Sequence, residues 1–320
     1  MTGPLALGRG GEFDRLRSIY RRLGDLGYAL GDDCALIQAE RTTIALSIDM
    51  SVEGVHFRRE WLSFAEIGWR ATAAALSDLA AEGARAVGVL VAVGVPGTRA
   101  PRAADAVDEA GEIMAGVGEA VAAVGAKVFG GDLVKSPQLI VDVCAVGTAP
   151  RPIRRQGARL DDGLWVTGEL GGSALALKEF TAGRRPSADL LQRFARPTPR
   201  LAAGQWLATQ GAHAMIDISD GLTSDAAHLA AASGVALEIQ LERVPSVVGA
   251  DSLVAAASGE EYELLVALPA TFGDVQARKF RDLFALPITR IGKVSIGSGV
   301  RFTDRGAAVE PPPGYDHFPE

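Results

Sequence analysis

The chain has 320 residues, 48% of them hydrophobic and 22% charged, with 38 Gly and 16 Pro. That balance suits a globular protein of roughly two domains of about 150 residues each and excludes disorder as its main state. Lys and Arg number 32 against 39 Asp and Glu, a net charge of -7, so no basic excess is present to neutralise a nucleic-acid backbone.

In chain order, the opening MTGPLALGRGGEF lacks a basic stretch followed by a continuous apolar core, and it reads as a frayed, tag-like leader rather than a signal. A strand is predicted at 42–49. Ser63 and Glu66 are spaced as a capping box, opening a helix that runs through WRATAAALSDLAAE and stops at Gly83. The apolar strand at 87–95 is interrupted by Gly88 and Gly94 and is too short to cross a bilayer, so no membrane span is expected. A second helix follows Pro101 to about Val124, where Gly111, Gly116 and Gly118 each weaken it by about 1 kcal/mol relative to Ala. A strand at 139–146 precedes GTAPRPIRRQGARLDDG, which combines prolines and arginines without a hydrophobic period. It marks the expected boundary between domains 1–150 and 151–320. Beyond it, strands at 164–167, 214–218, 237–241, 262–268 and 288–294 alternate with helices near 172–180, 200–210 and 221–232. TAGRRPSAD reads as a surface loop and PPPGYDHF as a proline-stiffened extension. The mixture of strands and helices indicates an α/β or α+β chain. Two cysteines, Cys34 and Cys144, make no disulfide framework, and a reducing cytoplasm is the expected setting.

Aspartates gather at predicted strand ends and Gly-flanked turns: Asp32 and Asp33 after Gly31, Asp49 closing TTIALSID, Asp132 closing VFGGD, and Asp217 and Asp220 around Ser219. Asp78 stands near a helix C-terminus, where the macrodipole disfavours a carboxylate. Singly, each reads as a cap or Asx-turn. Jointly, they would converge on the ligand crevice of an α/β chain, and converging carboxylates repel unless hard cations lie between them. Oxygen-only donors without Cys or His clusters favour Mg²⁺ over zinc, and Mg²⁺ so held points to nucleotide phosphates. No G-x-x-x-x-G-K-[ST], no G-x-G-x-x-G after a strand and no kinase H-R-D or D-F-G set is present, so an ATP user would be of another architecture.

Nine pieces occur in order over nearly the whole chain: GEF at Gly11, GDDCALI at Gly31, S-x-D-x-x-V-E-G-V-H-F at Ser47, LSDLAAEGA, GGD at Gly130, RPTPR at Arg196, IDISDGL at Ile216, GEEYEL at Gly259 and GYDHF at the tail. Together they resemble the thiamine-monophosphate kinase family, whose superfamily shares the aminoimidazole ribonucleotide synthetase-like fold without a Walker loop. The resemblance implies a homodimer that pairs its N-terminal sheets, with a C-terminal α/β domain on each side and a cleft for ATP and thiamine monophosphate. It implies several Mg²⁺ ions on Asp33, Ser47, the Ile48 backbone, Asp49, Asp78, Asp132, Asp217 and Asp220, with Asp49, Asp132 and Asp220 as the catalytic members. Gly131, Asp132, Arg155 and Ser219 would meet the nucleotide; His56, Glu260 and Tyr315 would meet the substrate. The family's G-G-E-D-Y-E-L stands here as SGEEYEL, with Ser258 and Glu261 substituted. His213, His228 and His317 are read as structural or unassigned.

The implied acceptor is a phosphate monoester with a second pKa of about 6, already ionised near neutrality, so in-line transfer needs charge neutralisation more than a base. A sibling ATP-dependent synthetase of the same superfamily is the alternative enzyme. A non-catalytic thiamine-phosphate or nucleotide-binding regulator would tolerate loss of metal ligands, and none is lost.

Overall fold

A computed structural model describes residues 4–26, 30–96 and 108–318. The first part of the chain forms α1 (Gly11–Leu23), β1 (Ala35–Ala39), β2 (Thr42–Val52), α2 (Phe64–Ala81), β3 (Arg85–Pro96), α3 (Glu109–Ala123), β4 (Lys127–Ser136) and β5 (Ile140–Ala149). The second part forms β6 (Gly163–Thr167), α4 (Gly172–Thr181), α5 (Ala188–Ala195), α6 (Leu201–Thr209), β7 (Ala214–Asp217), α7 (Leu222–Ser233) and β8 (Ala236–Gln240). It closes with α8 (Ser252–Ala257), β9 (Leu264–Leu268), α9 (Asp274–Phe284), β10 (Ile288–Ser295), β11 (Gly299–Asp304) and β12 (Ala307–Val309). The strands make a five-stranded sheet, β1-β2-β5-β3-β4, and a seven-stranded sheet, β12-β11-β8-β10-β6-β9-β7. Only β3–β4 and β11–β8 pair in parallel, so the α/β chain is of the mixed, α+β kind.

Helix α2 lies at the centre. Its capping box is present, with Ser63 N donating to Glu66 Oε2 at 2.8 Å and Glu66 N to Ser63 Oγ at 3.3 Å. Its Ala-rich body buries residues on all sides and packs against β2, β5 and α3 of the first part and against α5, α6 and β7 of the second. Gly68 and Gly116 let α2 and α3 touch, since a Cβ on Gly116 would meet Ala65 O at 1.8 Å and one on Gly68 would meet Ile113 O at 2.0 Å. The helix-weakening Gly116 is thus a packing residue.

The predicted elements have counterparts, with informative differences. Pro101 lies outside the described residues; α3 is described from Asp108, whose side chain accepts from Gly111 N. Helix α5 begins inside the stretch read as a loop, because Ser187 Oγ caps it by accepting from Leu190 N. The strand expected from Tyr262 starts instead at Leu264, since Glu260 (φ +56°) and Tyr262 (φ +54°) are left-handed and cannot extend. The leader is no frayed tag from residue 4 onward: Leu5 N donates to Leu30 O at 2.8 Å and Gly8 N to His228 Nδ1 at 3.2 Å. Strand β4 is an edge strand exposed at nine of its ten positions. The face of the five-stranded sheet away from α2 leaves Ile48 71% and Met50 55% exposed, beside exposed Leu90 and Phe129.

Candidate active site

The site is built where α2, β2 and β7 meet. Alternation along β2 puts Ser47 and Asp49 on the face toward α2 while Ile48 faces out. Asp49 is not at a strand end as its sequence suggests, for β2 continues to Val52. Ser47 Oγ donates to Asp78, which sits in the last turn of α2. Asp217 ends β7, and Asp33 follows the left-handed Gly31. Oxygens of Asp33, Asp78 and Asp217 all lie within 4.8 Å of one another.

Packing so many carboxylates together raises their proton affinities. Burial, then the charge of Asp33, pushes Asp217 up to about 8. Burial and the neighbouring Asp49 and Asp217 push Asp78 well above the carboxylate range, and burial raises Asp33 and Asp49. Asp220 is pushed up to about 7 by burial and by the charge of Glu12. Arg155 supplies partial relief, donating to Asp33 Oδ1 from Nη2 at 2.6 Å and from Nε at 3.0 Å, while its N–H meets Asp32 Oδ1 at 2.9 Å. Among the described residues Asp33 Oδ2 has no hydrogen-bond partner, and neither oxygen of fully buried Glu82, which caps the end of α2, has one.

These groups open on a cleft of ≈ 710 Å³, lined also by Ile48, His56, Ser219, Glu260 and Tyr315. His56 Nδ1 accepts from Val52 N at 3.1 Å, which places the proton of the neutral ring on Nε2. The loop after α8 crosses the floor. Its left-handed residues cost roughly 1–2 kcal/mol each and are held by Glu260 N donating to Ser219 O at 2.6 Å and Tyr262 N to Ile218 O at 2.9 Å. Glu261 caps α4, accepting from Gly171 N at 2.9 Å, Ser173 N at 3.1 Å and Ser258 Oγ at 2.5 Å. The two residues that depart from the family motif thus bond each other, Ser258 supplying a hydroxyl to Glu261.

The cleft unites Asp33, Ile48, Asp49, His56, Asp78, Arg155, Asp217, Ser219, Asp220, Glu260 and Tyr315, with Ser47 bonded to Asp78 beside it. Gly131 and Asp132 do not join them within one chain. The parallel register places Asp132 opposite Ala92, in an exposed position inside β4 and not at its end. Gly131 is required by close strand packing, as a Cβ there would meet Val91 O at 1.7 Å.

Several residues of the site were not anticipated. Arg70 of α2 pairs with Glu260 and donates to Phe194 O. His317, read as structural, stands in the cleft with its ring 5.1 Å from His56 and 4.8 Å from Tyr315. Asp316 caps α1 from the far end of the chain, accepting from Gly11 N at 2.7 Å and Glu12 N at 3.2 Å, so the tail is a strap and not a loose extension. The other two histidines are structural: His228 lies against Phe13 with burial pushing it down to about 3, and His213 Nδ1 meets Asp162 at 2.9 Å. RPTPR is a brace, since Arg200 holds buried Glu263 through Nε at 2.9 Å and Nη2 at 2.5 Å.

Residues 31–149 match the AIR synthase related protein N-terminal domain and residues 160–305 the corresponding C-terminal domain. The thiamine-monophosphate kinase of Mycobacterium tuberculosis is 37% identical over 253 residues, covering 78% of this chain and 74% of that protein. That of Aquifex aeolicus is 33% identical over 322 residues, covering 96% and 98%. The solved structure of AaThiL complexed with AMPPCP and TMP superposes with a TM-score of 0.84 at 31% identity, covering 96% of this chain and 97% of that one. The carboxylate cleft, both domain matches and these likenesses, two of them over nearly the whole chain, place the chain in the thiamine-monophosphate kinase family.

Proposed function

We propose that this enzyme transfers the γ-phosphate of ATP directly to thiamine monophosphate, giving thiamine diphosphate and ADP. The observation that carries the reading is the convergence of Asp33, Asp78 and Asp217 within 4.8 Å at the wall of a cleft that also holds Arg155, His56 and Glu260. The donor set fits magnesium: it is all oxygen, and the buried Asp33 Oδ2 has no hydrogen-bond partner among the described residues. Asp33, Asp49, Asp78, Asp217 and Asp220, with Ser47 and the Ile48 carbonyl, would hold the ions, which neutralise charge between two anionic phosphates. Arg155 stands ready to exchange Asp33 for a nucleotide phosphate, and Ser219 offers a hydroxyl. His56 donates from Nε2 to the acceptor, Glu260 accepts from it, and Tyr315 covers it. The monoester is already ionised near neutrality, so no group of the cleft need remove a proton.

Residues 1–150 form the nucleotide, magnesium and dimerisation half, and residues 151–320 complete the site. The exposed apolar face around Ile48, Met50, Leu90 and Phe129 is the homodimer surface, and pairing across it is the route by which Gly131 and Asp132 reach a nucleotide. Among the described residues no helix is long and apolar enough to cross a membrane, and a cytoplasmic location is in keeping with the free thiols of Cys34 and Cys144. Incubating the purified protein with ATP, Mg²⁺ and thiamine monophosphate tests the reading: thiamine diphosphate should form, and free thiamine, whose neutral hydroxyl would need a base, should be a poor acceptor. Equal turnover of both acceptors would sink the mechanism.

A further inference from the structure

Arg70 is a charged side chain in the middle of the most buried helix of the molecule, itself 3% exposed. Such a charge is retained only where it is fully paired. Its guanidinium is spent on three contacts: the Glu260 carboxylate, the Phe194 carbonyl and the face of the Phe194 ring, 4.0 Å away. Only a planar fork can meet the first two together, since a lysine ammonium lacks the spread. Glu260 is anchored by its backbone as well, through Ser219 O at 2.6 Å and Ser173 Oγ, which donates to Glu260 O at 2.8 Å. Its carboxylate remains partly open to the cleft. Without Arg70 that carboxylate would face a cleft already crowded with aspartates and would have no fixed direction.

We propose that Arg70 is a positioning residue for the phosphoryl acceptor, holding the Glu260 carboxylate in the cleft wall so that it meets the amine-bearing, cationic organic part of the substrate. Arg70 does not itself line the cleft, and its bonds go to Glu260 and Phe194 and not to the aspartates. It lies two turns before Asp78 on α2, so one rigid helix sets the spacing between the metal end and the acceptor end. The inference rests on Glu260 being a substrate group, as in the function proposed above.

The test is steady-state kinetics with ATP and thiamine monophosphate varied separately, on wild type, Arg70→Lys, Arg70→Gln, Glu260→Gln and the Arg70→Lys/Glu260→Gln double variant, with a thermal melt of each. Arg70→Gln should raise the KM for thiamine monophosphate at least tenfold and move the KM for ATP less than twofold, with Arg70→Lys in between. In the Glu260→Gln background Arg70→Lys should add nothing further, because its effect passes through that carboxylate. Should Arg70→Gln fail to fold, the lysine variant and the double variant carry the comparison. Equal rises in both KM values, or multiplicative effects in the double variant, would overturn the inference while leaving the function intact. A wild-type chain that makes no thiamine diphosphate would overturn the functional reading, and this inference with it.

Discussion

At the Asp33–Asp78–Asp217 end of the cleft carboxylates face one another with oxygens left over, whereas on the loop that carries Glu260, Glu261 and Glu263 every carboxylate is engaged. Asp33 Oδ2 and, nearby, both Glu82 oxygens have no hydrogen-bond partner among the described residues. Glu260 has Arg70, Glu261 has two backbone N–H groups and Ser258, and Glu263 has Arg200 and Thr167. The first end costs folding energy, which the cations of the proposed function would offset; the second contributes folding energy and holds a shape. The loop must present Glu260 from a strained backbone, so it is braced on all sides. At the carboxylate end α2 and β7 already position Asp78 and Asp217, and Arg155 alone braces Asp33.

The largest expected effect follows from the unpaired end. Asp217→Asn should lower turnover at least about a hundredfold by removing one of the carboxylates proposed to hold magnesium, yet raise the melting temperature of the metal-free protein by relieving repulsion. A variant that loses both activity and stability would show that Asp217 braces the fold, like the other end. On the braced loop the opposite sign applies. Arg200→Gln leaves Glu263 buried without its cation and should cost roughly 3–5 kcal/mol, read by denaturant unfolding; a loss under 1 kcal/mol would erase the contrast.

Ligands should even out the two ends. The Mg²⁺ complex of a nonhydrolysable ATP analogue, at a hundredfold excess over its Kd, should stabilise the chain by roughly 2.7 kcal/mol, more than the sum of the shifts that the same concentrations of metal and analogue give separately, because phosphate oxygens complete the metal site. Strictly additive shifts would mean no shared site. Acidity tests the same idea. Asp217, at about 8 in the folded chain against an ordinary 3.8, keeps its proton where the unfolded chain has lost it. The unfolded state therefore binds fewer protons between those values, and metal-free stability should fall as pH rises from about 4 to about 8. Melts across pH 5 to 8 should show that decline in wild type and a shallower one in Asp217→Asn. The smallest effect is at Glu82, whose pKa burial raises well above the usual range. Glu82→Met should stabilise the metal-free protein by about 1–2 kcal/mol, since an unpaired buried carboxylate gives way to an apolar side chain. A destabilised variant would imply a partner for Glu82.

Local patterns were enough for much of this protein. The capping box at Ser63, the alternation of TTIALSID, the Ala-rich α2 and the Asp-bearing turns depend on spacing within a dozen residues, and the ordered motifs placed eleven of the expected site residues on one cleft. Where non-local contacts decide, the sequence was silent. Helix α1 hides among glycines because its cap, Asp316, comes from the other end of the chain. Asp132 looked like the other aspartates, but a parallel edge pairing carried it to an exposed face. Arg70 reads as one polar residue in an apolar helix, and nothing nearby in sequence names Glu260 as its partner. Sequence determined which side chains could bind metal and phosphate, because residue type sets that chemistry. Tertiary structure alone decided which of them share a cleft and which are neutralised, because register, burial and contacts between distant segments set distance and dielectric.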